Sequence, residues 1–206
     1  MATKSFLERY RDRRDFNVSS EPFGDPEIAR GKKDIFVIQK HDATNLHYDF
    51  RLLVKGVLKS WAVPKGPSTD PDEKRLAITT EDHPIEYADF EGIIPEDQYG
   101  GGTVMVWDAG TYSIKKKDAE GHIIPLEKQL KEGHASFLLN GEKIRGGYSL
   151  IRTKKGKNEQ WLLIKSDDEE ADARRNPTST ENKSVLTGRT MEQIKKDSEE
   201  NGNQKG

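Results

Sequence analysis

Apolar and polar side chains alternate along two neighbouring stretches in the first quarter of the chain. From His47 to Leu52 the two kinds of residue take turns, and Asp34–Gln39 before it is rich in β-branched and aromatic residues. Alternate residues of a β-strand face opposite sides. The second strand therefore presents an imidazole, a carboxylate and a guanidinium on one face, and the polar residues 43–45 would return His41 to the same place. Those three side chains are His47, Asp49 and Arg51.

Two imidazoles and one carboxylate form a donor set suited to a divalent transition metal, with positions left for water or substrate. A later stretch, residues 75–83, supports a shared site. As a strand it would place Arg75, Glu81 and His83 on one face. We expect the two polar faces to share one cavity. The alternative, strands whose polar faces are simply solvated, stays open on this pattern alone.

Short strand-like segments separated by turn residues continue through the body of the chain. Helical patterns are few: residues 3–15 predict a short amphipathic helix, and residues 124–132 predict one or two turns. Many short strands with few helices favour a mainly β fold, either an antiparallel barrel or a sandwich. The predicted strands are Asp34–Gln39, His47–Val54, Val57–Val63, Arg75–Thr80, Gly102–Asp108, Tyr112–Lys116, Ala135–Leu139, Gly147–Arg152 and Gln160–Lys165.

Charge is unevenly distributed between the body of the chain and its C-terminal part. Residues 166–206 carry 7 Lys+Arg and 10 Asp+Glu, which leaves 27 basic and 26 acidic residues of the whole-chain 34 and 36 for residues 1–165. Nucleic-acid affinity must then come from a local patch and not from net charge. We predict a domain over residues 1–167, with an arm (1–33) and a barrel (34–167), and a polar, flexible tail over residues 168–206.

Cysteine is absent, which excludes disulfides and thiolate zinc sites and is typical of a reducing compartment. No apolar run approaches membrane-spanning length, and the first ten residues lack the apolar core of a signal peptide. We therefore expect a cytoplasmic protein with no membrane partner, and a monomer.

Several linked motifs together resemble the 3′-phosphoesterase module of bacterial DNA ligase D. The resemblance covers roughly residues 6–195, and its motifs occur in the family order. No ligase or polymerase region accompanies them, so the chain resembles a stand-alone version of the module. The motifs are Arg14-Asp15-Phe16 with Glu21-Pro22, Gln39–Arg51, Trp61–Pro67, Glu81–Tyr87, Phe90–Gly100, Trp161–Lys165 and Ser184–Thr190.

The resemblance implies a small antiparallel β-barrel with a polar cavity, a short N-terminal helix and an arm. It implies a manganese-dependent enzyme, other divalent transition metals being alternatives, that trims a terminal ribonucleotide and removes 3′-phosphate to leave a 3′-hydroxyl. Its partners would be DNA or RNA-containing 3′ ends and a separate ligase or polymerase of an end-joining pathway. The implied metal ligands are His41, His47 and Asp49; the catalytic residues are His83, Arg51, Tyr87, Glu81, Lys65, Arg75 and Gln39; the substrate-binding residues are Arg14, Asp15, Glu21, Arg51 and His83.

In this interpretation Arg51, fixed and capable of bidentate contact, holds a second non-bridging phosphate oxygen. His83 either binds as an imidazolium or donates a proton to the leaving oxygen. Two alternatives remain. An iron-dependent oxygenase would use His47, Asp49 and His83 as a facial triad. A non-catalytic module would bind nucleic-acid ends and recruit partners through the arm and the tail.

Overall fold

The computed structural model describes residues 5–25, 27–28, 34–156 and 158–203. It is mainly β, and every strand pairing is antiparallel. The strands are β1 (Ile35–Asp42), β2 (Leu46–Val54), β3 (Val57–Val63), β4 (Lys74–Thr79), β5 (Gly92–Ile94), β6 (Gly102–Ser113), β7 (His134–Gly141), β8 (Arg145–Lys154) and β9 (Gln160–Lys165). The helices are α1 (Phe6–Arg11), α2 (Leu126–Glu132), α3 (Pro177–Thr180) and α4 (Met191–Asn203), with a 3₁₀ helix at Ile85–Asp89.

Eight of the strands close into a barrel. The order β1-β2-β3-β4-β9-β8-β7-β6 ends with β6 pairing back on β1, and β5 pairs with β6 outside the ring. Closure removes the exposed sheet edges that a sandwich would leave. The predicted small antiparallel barrel is thus confirmed. No helix among the described residues is long and apolar enough to cross a membrane.

The strand β6 is longer than the sequence pattern predicted. Two strands were expected, Gly102–Asp108 and Tyr112–Lys116, with turn residues between them. Instead Asp108 is fully buried, and its carboxylate accepts hydrogen bonds from the backbone N–H groups of residues 142–144 at 2.8–3.0 Å. A Cβ on Gly110 would lie 2.1 Å from the Asn140 carbonyl oxygen, so this glycine serves close strand contact.

Two apolar layers lie on opposite sides of the barrel wall. Even-numbered residues of β1 and β2, such as Phe36 and Phe50, belong to the large core that includes residues from all eight strands of the ring. Odd-numbered residues, such as Val37 and Leu53, pack instead with Tyr10 of the arm and with the segment 85–94. The odd-numbered face of the β1–β2 hairpin therefore lies on the outside of the wall, beneath a cover of arm and loop.

The tail packs on the barrel instead of extending into solvent. The Trp107 indole N–H donates to the Glu181 carbonyl at 2.6 Å, the Val185 N–H donates to the Val106 carbonyl at 3.0 Å, and Arg189 pairs with Glu91 at 3.2 Å. Ile194 is fully buried in the main core. The described part of the tail is thus packed, whereas its average composition predicted a flexible segment. A few apolar residues and backbone hydrogen bonds anchor a segment that is polar on average.

We expect Ile194→Ala to lower the free energy of unfolding by about 2–5 kcal/mol, since truncating a fully buried isoleucine leaves a cavity. Urea unfolding measures the change. Ile123→Ala, at a position 49% exposed, is the control and should change stability by less than about 0.5 kcal/mol. Equal stability of the two variants would show that the tail contributes nothing to the folded body.

Candidate active site

The β1–β2 hairpin brings the three predicted metal ligands together. In the strand register His41 lies directly opposite His47, and Gln39 lies opposite Asp49. One nitrogen of each imidazole and one oxygen of Asp49 all lie within 4.8 Å of one another. The predicted cluster follows from alternation along two strands joined by a short turn.

The ring nitrogens of both histidines suit metal ligation. The Nδ1 atom of His47 lies 2.8 Å from the Asn45 carbonyl oxygen. A neutral ring must donate to that carbonyl, which leaves the Nε2 lone pair free toward Asp49, 3.7 Å away. His41 is buried, and its Nε2 atom has no hydrogen-bond partner among the described residues. An unpartnered buried nitrogen beside a second imidazole and a carboxylate fits a metal ligand set.

The surroundings of Asp49 favour its ionised form. Burial alone would raise the pKa of this carboxyl, but Arg51, His41 and His47 together lower it well below its usual value. The Arg51 guanidinium donates to Asp49 Oδ2 at 3.0 Å, and both side chains are less than a tenth exposed. A buried carboxylate held ionised in this way is ready to bind a cation without first losing a proton.

Arg51 is the hub of the buried polar network. Its Nε donates to Gln39 Oε1 at 2.8 Å, its Nη1 to Ser60 Oγ and to His83 Nδ1, both at 2.8 Å, and its Nη2 to Asp49. An arginine has five N–H groups, and these contacts use all three of its nitrogens. Arg51 is therefore a fixed positive charge in the pocket wall, with four hydrogen bonds made within the protein.

His83 is held behind Arg51 by the backbone of β3. It exchanges two backbone hydrogen bonds with Leu58, at 2.9 and 3.1 Å. Because a guanidinium only donates, its contact with Nδ1 requires that Nδ1 accept, and the ring proton is then on Nε2. The Glu81 carbonyl oxygen lies 2.9 Å from the same Nδ1 atom. It could accept a hydrogen bond only from the other tautomer, which carries its proton on Nδ1. Burial, with the charges of Arg51 and Arg14, lowers the pKa of His83 well below its usual value.

This pKa predicts a pH dependence of stability. The unfolded chain binds a proton at His83 below about pH 6.5 whereas the folded chain does not, so the free energy of unfolding falls as the pH drops below 6.5. His83→Asn, whose amide oxygen can still accept from Arg51, should abolish this contribution, which is at most about 1.4 kcal/mol per pH unit. Urea unfolding between pH 7 and pH 5 measures it. His122→Asn, at an exposed histidine, should keep the wild-type slope; a wild-type slope in His83→Asn would contradict the assignment.

The arm contributes a second buried ion-pair cluster. Arg14 donates to Glu21 at 2.8 Å and to Glu81 at 2.6 Å, and its side chain is only 2% exposed. Its remaining edge donates to the Tyr10 carbonyl. Arg14 therefore joins the arm, in which Glu21 lies, to the segment that carries Glu81 and His83.

These side chains line one pocket of about 290 Å³ on the outer face of the barrel wall.

Comparison with known proteins identifies the family of this chain. Residues 39–152, more than half of the chain, match the family described as the DNA Ligase D 3′-phosphoesterase domain. The chain belongs to this family.

Relatives of this phosphoesterase domain are named for DNA end joining. The multifunctional non-homologous end joining protein LigD of Pseudomonas aeruginosa is 48% identical over 177 residues, which is 83% of this chain and 20% of the relative. The multifunctional non-homologous end joining DNA repair protein LigD of Mycobacterium tuberculosis is 44% identical over 156 residues, 76% of this chain and 19% of the relative. The chain thus spans about one fifth of the length of these relatives, and a phosphoesterase-type role follows from its family.

The pocket of this phosphoesterase domain contains most of the predicted site residues. Gln39 lies behind the pocket, where its amide donates to the Tyr87 and Phe90 carbonyls at 2.9 and 3.1 Å while its oxygen accepts from Arg51. It positions the guanidinium against the 3₁₀ segment. The predicted residues that line the pocket are Arg14, Glu21, His41, His47, Asp49, Arg51, Glu81, His83 and Tyr87.

Three predicted site residues lie elsewhere. Asp15 is exposed and caps a turn by accepting from Asn17. Lys65 and Arg75 line a separate groove beyond β3, where Arg75 pairs with Glu73. The prediction that residues 75–83 share one polar face is wrong. The strand β4 ends at Thr79, and its odd-numbered residue Ala77 lies in the barrel core. The roles of these three residues stay predictions.

Sequence reasoning missed one residue behind the pocket, Ser60, and two that line it. Ser60 accepts a hydrogen bond from Arg51 and fixes one edge of the guanidinium. It lies opposite Arg51 in the register of β2 and β3, so its position in the alternation of β3 could have indicated this contact. Thr80 and Tyr99 also line the pocket. They are on loops, where no alternation pattern marks them.

Proposed function

We propose that this chain is a manganese-dependent 3′-phosphoesterase that trims a terminal ribonucleotide and removes 3′-phosphate, leaving a 3′-hydroxyl for DNA repair. The observation that carries the proposal is the placement of His41, His47 and Asp49 in one pocket with Arg51 and His83. Cation ligands beside fixed cationic and hydrogen-bonding side chains are what a phosphate ester requires.

His41, His47 and Asp49 would hold the metal. A divalent ion there would supply a Lewis acid that polarises a phosphoryl oxygen. Nitrogen and oxygen donors are compatible with manganese, while affinity rank alone favours zinc or copper, so the choice of manganese rests on the family.

Arg51 would stabilise the charge on the phosphoryl oxygens. Its four contacts hold the guanidinium still before substrate arrives, so little reorganisation accompanies the reaction. Because its nitrogens are largely engaged, its contribution would be mainly electrostatic, with a direct contact limited to an Nη2 hydrogen bond.

His83 would act as a neutral donor through Nε2. The lowered pKa keeps the ring uncharged near pH 7, and the Arg51 contact at Nδ1 leaves the proton on the other nitrogen. Through Nε2–H the ring would donate a hydrogen bond to a phosphoryl oxygen and keep its proton. When water attacks phosphorus and the bond to the 3′ oxygen breaks, that oxygen would take its proton from solvent water. Glu81, whose carboxylate is tied to Arg13 and Arg14, would serve chiefly to position the arm.

The ligand set that the oxygenase alternative assumed differs from the observed cluster. It required His83 as the third ligand with His47 and Asp49, whereas the cluster contains His41, and Arg51 lies between Asp49 and His83. A buried arginine in that position fits an anionic substrate better than dioxygen chemistry.

A 5′-labelled primer–template with one terminal ribonucleotide tests the proposal. Incubation with manganese should yield a product shortened by one nucleoside with a 3′-phosphate, followed by a 3′-hydroxyl product, and incubation with EDTA should yield neither. An unchanged primer with every divalent metal would instead support the non-catalytic end-binding module.

A further inference from the structure

Thr80 contributes a hydroxyl-bearing side chain to the wall of the active-site pocket. Its Oγ1 atom is buried and has no hydrogen-bond partner among the described residues. A buried hydroxyl without a partner destabilises a folded protein, because the group has lost water and gained no other contact. The proposed steps at the phosphate involve the metal ligands, Arg51 and His83, and none of them uses this hydroxyl. Its position in a substrate pocket indicates a partner on the substrate.

The backbone holds Thr80 in a fixed position. Its N–H donates to the Ser60 carbonyl at 3.0 Å, and three residues later His83 exchanges two hydrogen bonds with Leu58. The segment 80–83 is therefore tied to β3 at both ends. Because a β-branched side chain has few rotamers, the Thr80 hydroxyl is held beside the strand that also fixes Arg51 through Ser60.

Most polar groups of the pocket wall are charged and already engaged. Arg14 pairs with Glu21 and Glu81, and Arg51 makes four hydrogen bonds within the protein. These groups suit the charge of a phosphate and not a neutral part of the substrate.

Three residues that line the pocket carry a neutral hydroxyl, namely Thr80, Tyr87 and Tyr99. Tyr99 is half exposed to solvent. Tyr87 is an implied catalytic residue, and the centre of its ring lies 4.9 Å from the Arg51 guanidinium carbon. Thr80 is thus the hydroxyl that is both buried and without an assigned role.

A neutral hydroxyl suits the sugar of the substrate better than its phosphate. Phosphoryl oxygens only accept hydrogen bonds and bind best to cationic donors, whereas a ribose 2′-hydroxyl both donates and accepts, as threonine does. The 2′-hydroxyl nearest to the reacting phosphorus is on the ribose that carries the phosphate, because it lies on the carbon next to the 3′ carbon. Base pairing leaves 2′-hydroxyls accessible in the minor groove, so the contact is compatible with a primer paired to its template.

We propose that the Thr80 hydroxyl forms a hydrogen bond with the 2′-hydroxyl of the ribose that carries the reacting phosphate. Thr80 is then a specificity-determining residue for ribonucleotide trimming, since a deoxyribose has no oxygen at this position. The inference rests on the proposed function, in which the phosphate binds beside the metal ligands and Arg51. The hydrogen bond orients the sugar, and no covalent bond changes at Thr80. A phosphoryl oxygen is the competing partner for the hydroxyl.

Two primer–templates measured with manganese test this contact. The first primer ends in two ribonucleotides and reports trimming, and the second is entirely deoxyribonucleotide with a 3′-phosphate and reports phosphate removal. Thr80→Val removes the hydroxyl and should lower the ratio of the trimming rate to the phosphate-removal rate by about tenfold, the net contribution of one hydrogen bond. Thr80→Ser should keep the wild-type ratio. Thr153→Val, at an exposed threonine outside the pocket, is the matched control and should keep it as well.

Urea unfolding separates substrate recognition from a structural role. The hydroxyl makes no hydrogen bond within the described part of the chain, so Thr80→Val should unfold at a urea concentration no lower than wild type. A lower urea midpoint for Thr80→Val would assign the hydroxyl to the fold and overturn the proposal.

A competition assay in EDTA gives a second measurement that needs no turnover. Wild type and Thr80→Ser should bind the primer that ends in two ribonucleotides about tenfold more tightly than its all-deoxyribonucleotide form, and Thr80→Val should bind both equally. This preference without turnover under any metal rejects the enzyme and keeps the contact. Turnover with the wild-type ratio in Thr80→Val rejects the contact alone. An equal loss of both reactions in Thr80→Val would assign the hydroxyl to the phosphate and overturn the proposal.

Discussion

His47→Ala should lose manganese binding and turnover while remaining folded. The side chain is about a fifth exposed and packs on no core cluster, so its removal should change stability by less than about 1 kcal/mol. Loss of a residue that only orients a metal ligand costs about 10–100-fold in affinity or activity, and loss of the ligand itself should exceed about 100-fold.

Asp49→Ala should lose the same function and much of the stability as well. Arg51 would remain buried without its carboxylate partner, which costs about 3–5 kcal/mol. Manganese titration followed by electron paramagnetic resonance, together with urea unfolding, measures both effects, and His122→Ala is the control. Manganese affinity that persists in His47→Ala would remove His47 from the ligand set. Equal stability of Asp49→Ala and His47→Ala would mean that the ion pair between Arg51 and Asp49 does not contribute to the stability of the fold.

Arg51→Lys should lower kcat by about 100- to 1,000-fold even though the charge is conserved. An ammonium cannot reach Gln39, Ser60, His83 and Asp49 at once, so it would neither hold its position nor fix the His83 tautomer. The variant should still bind manganese, because none of the three ligands is changed.

A matched substitution separates this effect from general loss of packing. Arg152 likewise donates to a carboxylate, Glu159, and stacks near an indole, Trp161, but lies outside the active-site pocket. Arg152→Lys should therefore keep kcat near the wild-type value. Single-turnover rates with saturating manganese decide the comparison, and a normal rate for Arg51→Lys would show that the planar network is dispensable.

The metal cluster could be predicted because strand alternation is a local rule. His47, Asp49 and Arg51 share a face whatever the rest of the fold does, and a short turn was enough to place His41 opposite His47. The barrel could be predicted in class, since many short strands with few helices leave few other architectures. The pairing of β6 with β1, which closes the barrel, joins two distant parts of the chain. No single stretch of sequence could predict it.

The failures arose where distant contacts override local pattern. Asp108 resembles a turn residue, yet it lies inside a strand because it caps the backbone of another loop. Residues 75–83 kept a polar alternation, but the strand stops at Thr79 and the chain then bends to bring His83 onto β3. The tail is polar on average, and only its contact with the core shows that Ile194 anchors it. Average composition does not carry that information.

The most direct test of the account is reconstitution of metal-free protein with manganese on a primer that ends in a 3′-phosphate. We expect no 3′-hydroxyl product without metal, and a rate that rises with added manganese in the wild-type chain and in His122→Ala but not in His47→Ala. Phosphate release by the metal-free protein, or by His47→Ala at the wild-type rate, would contradict the assignment of His41, His47 and Asp49 as the metal centre of a 3′-phosphoesterase.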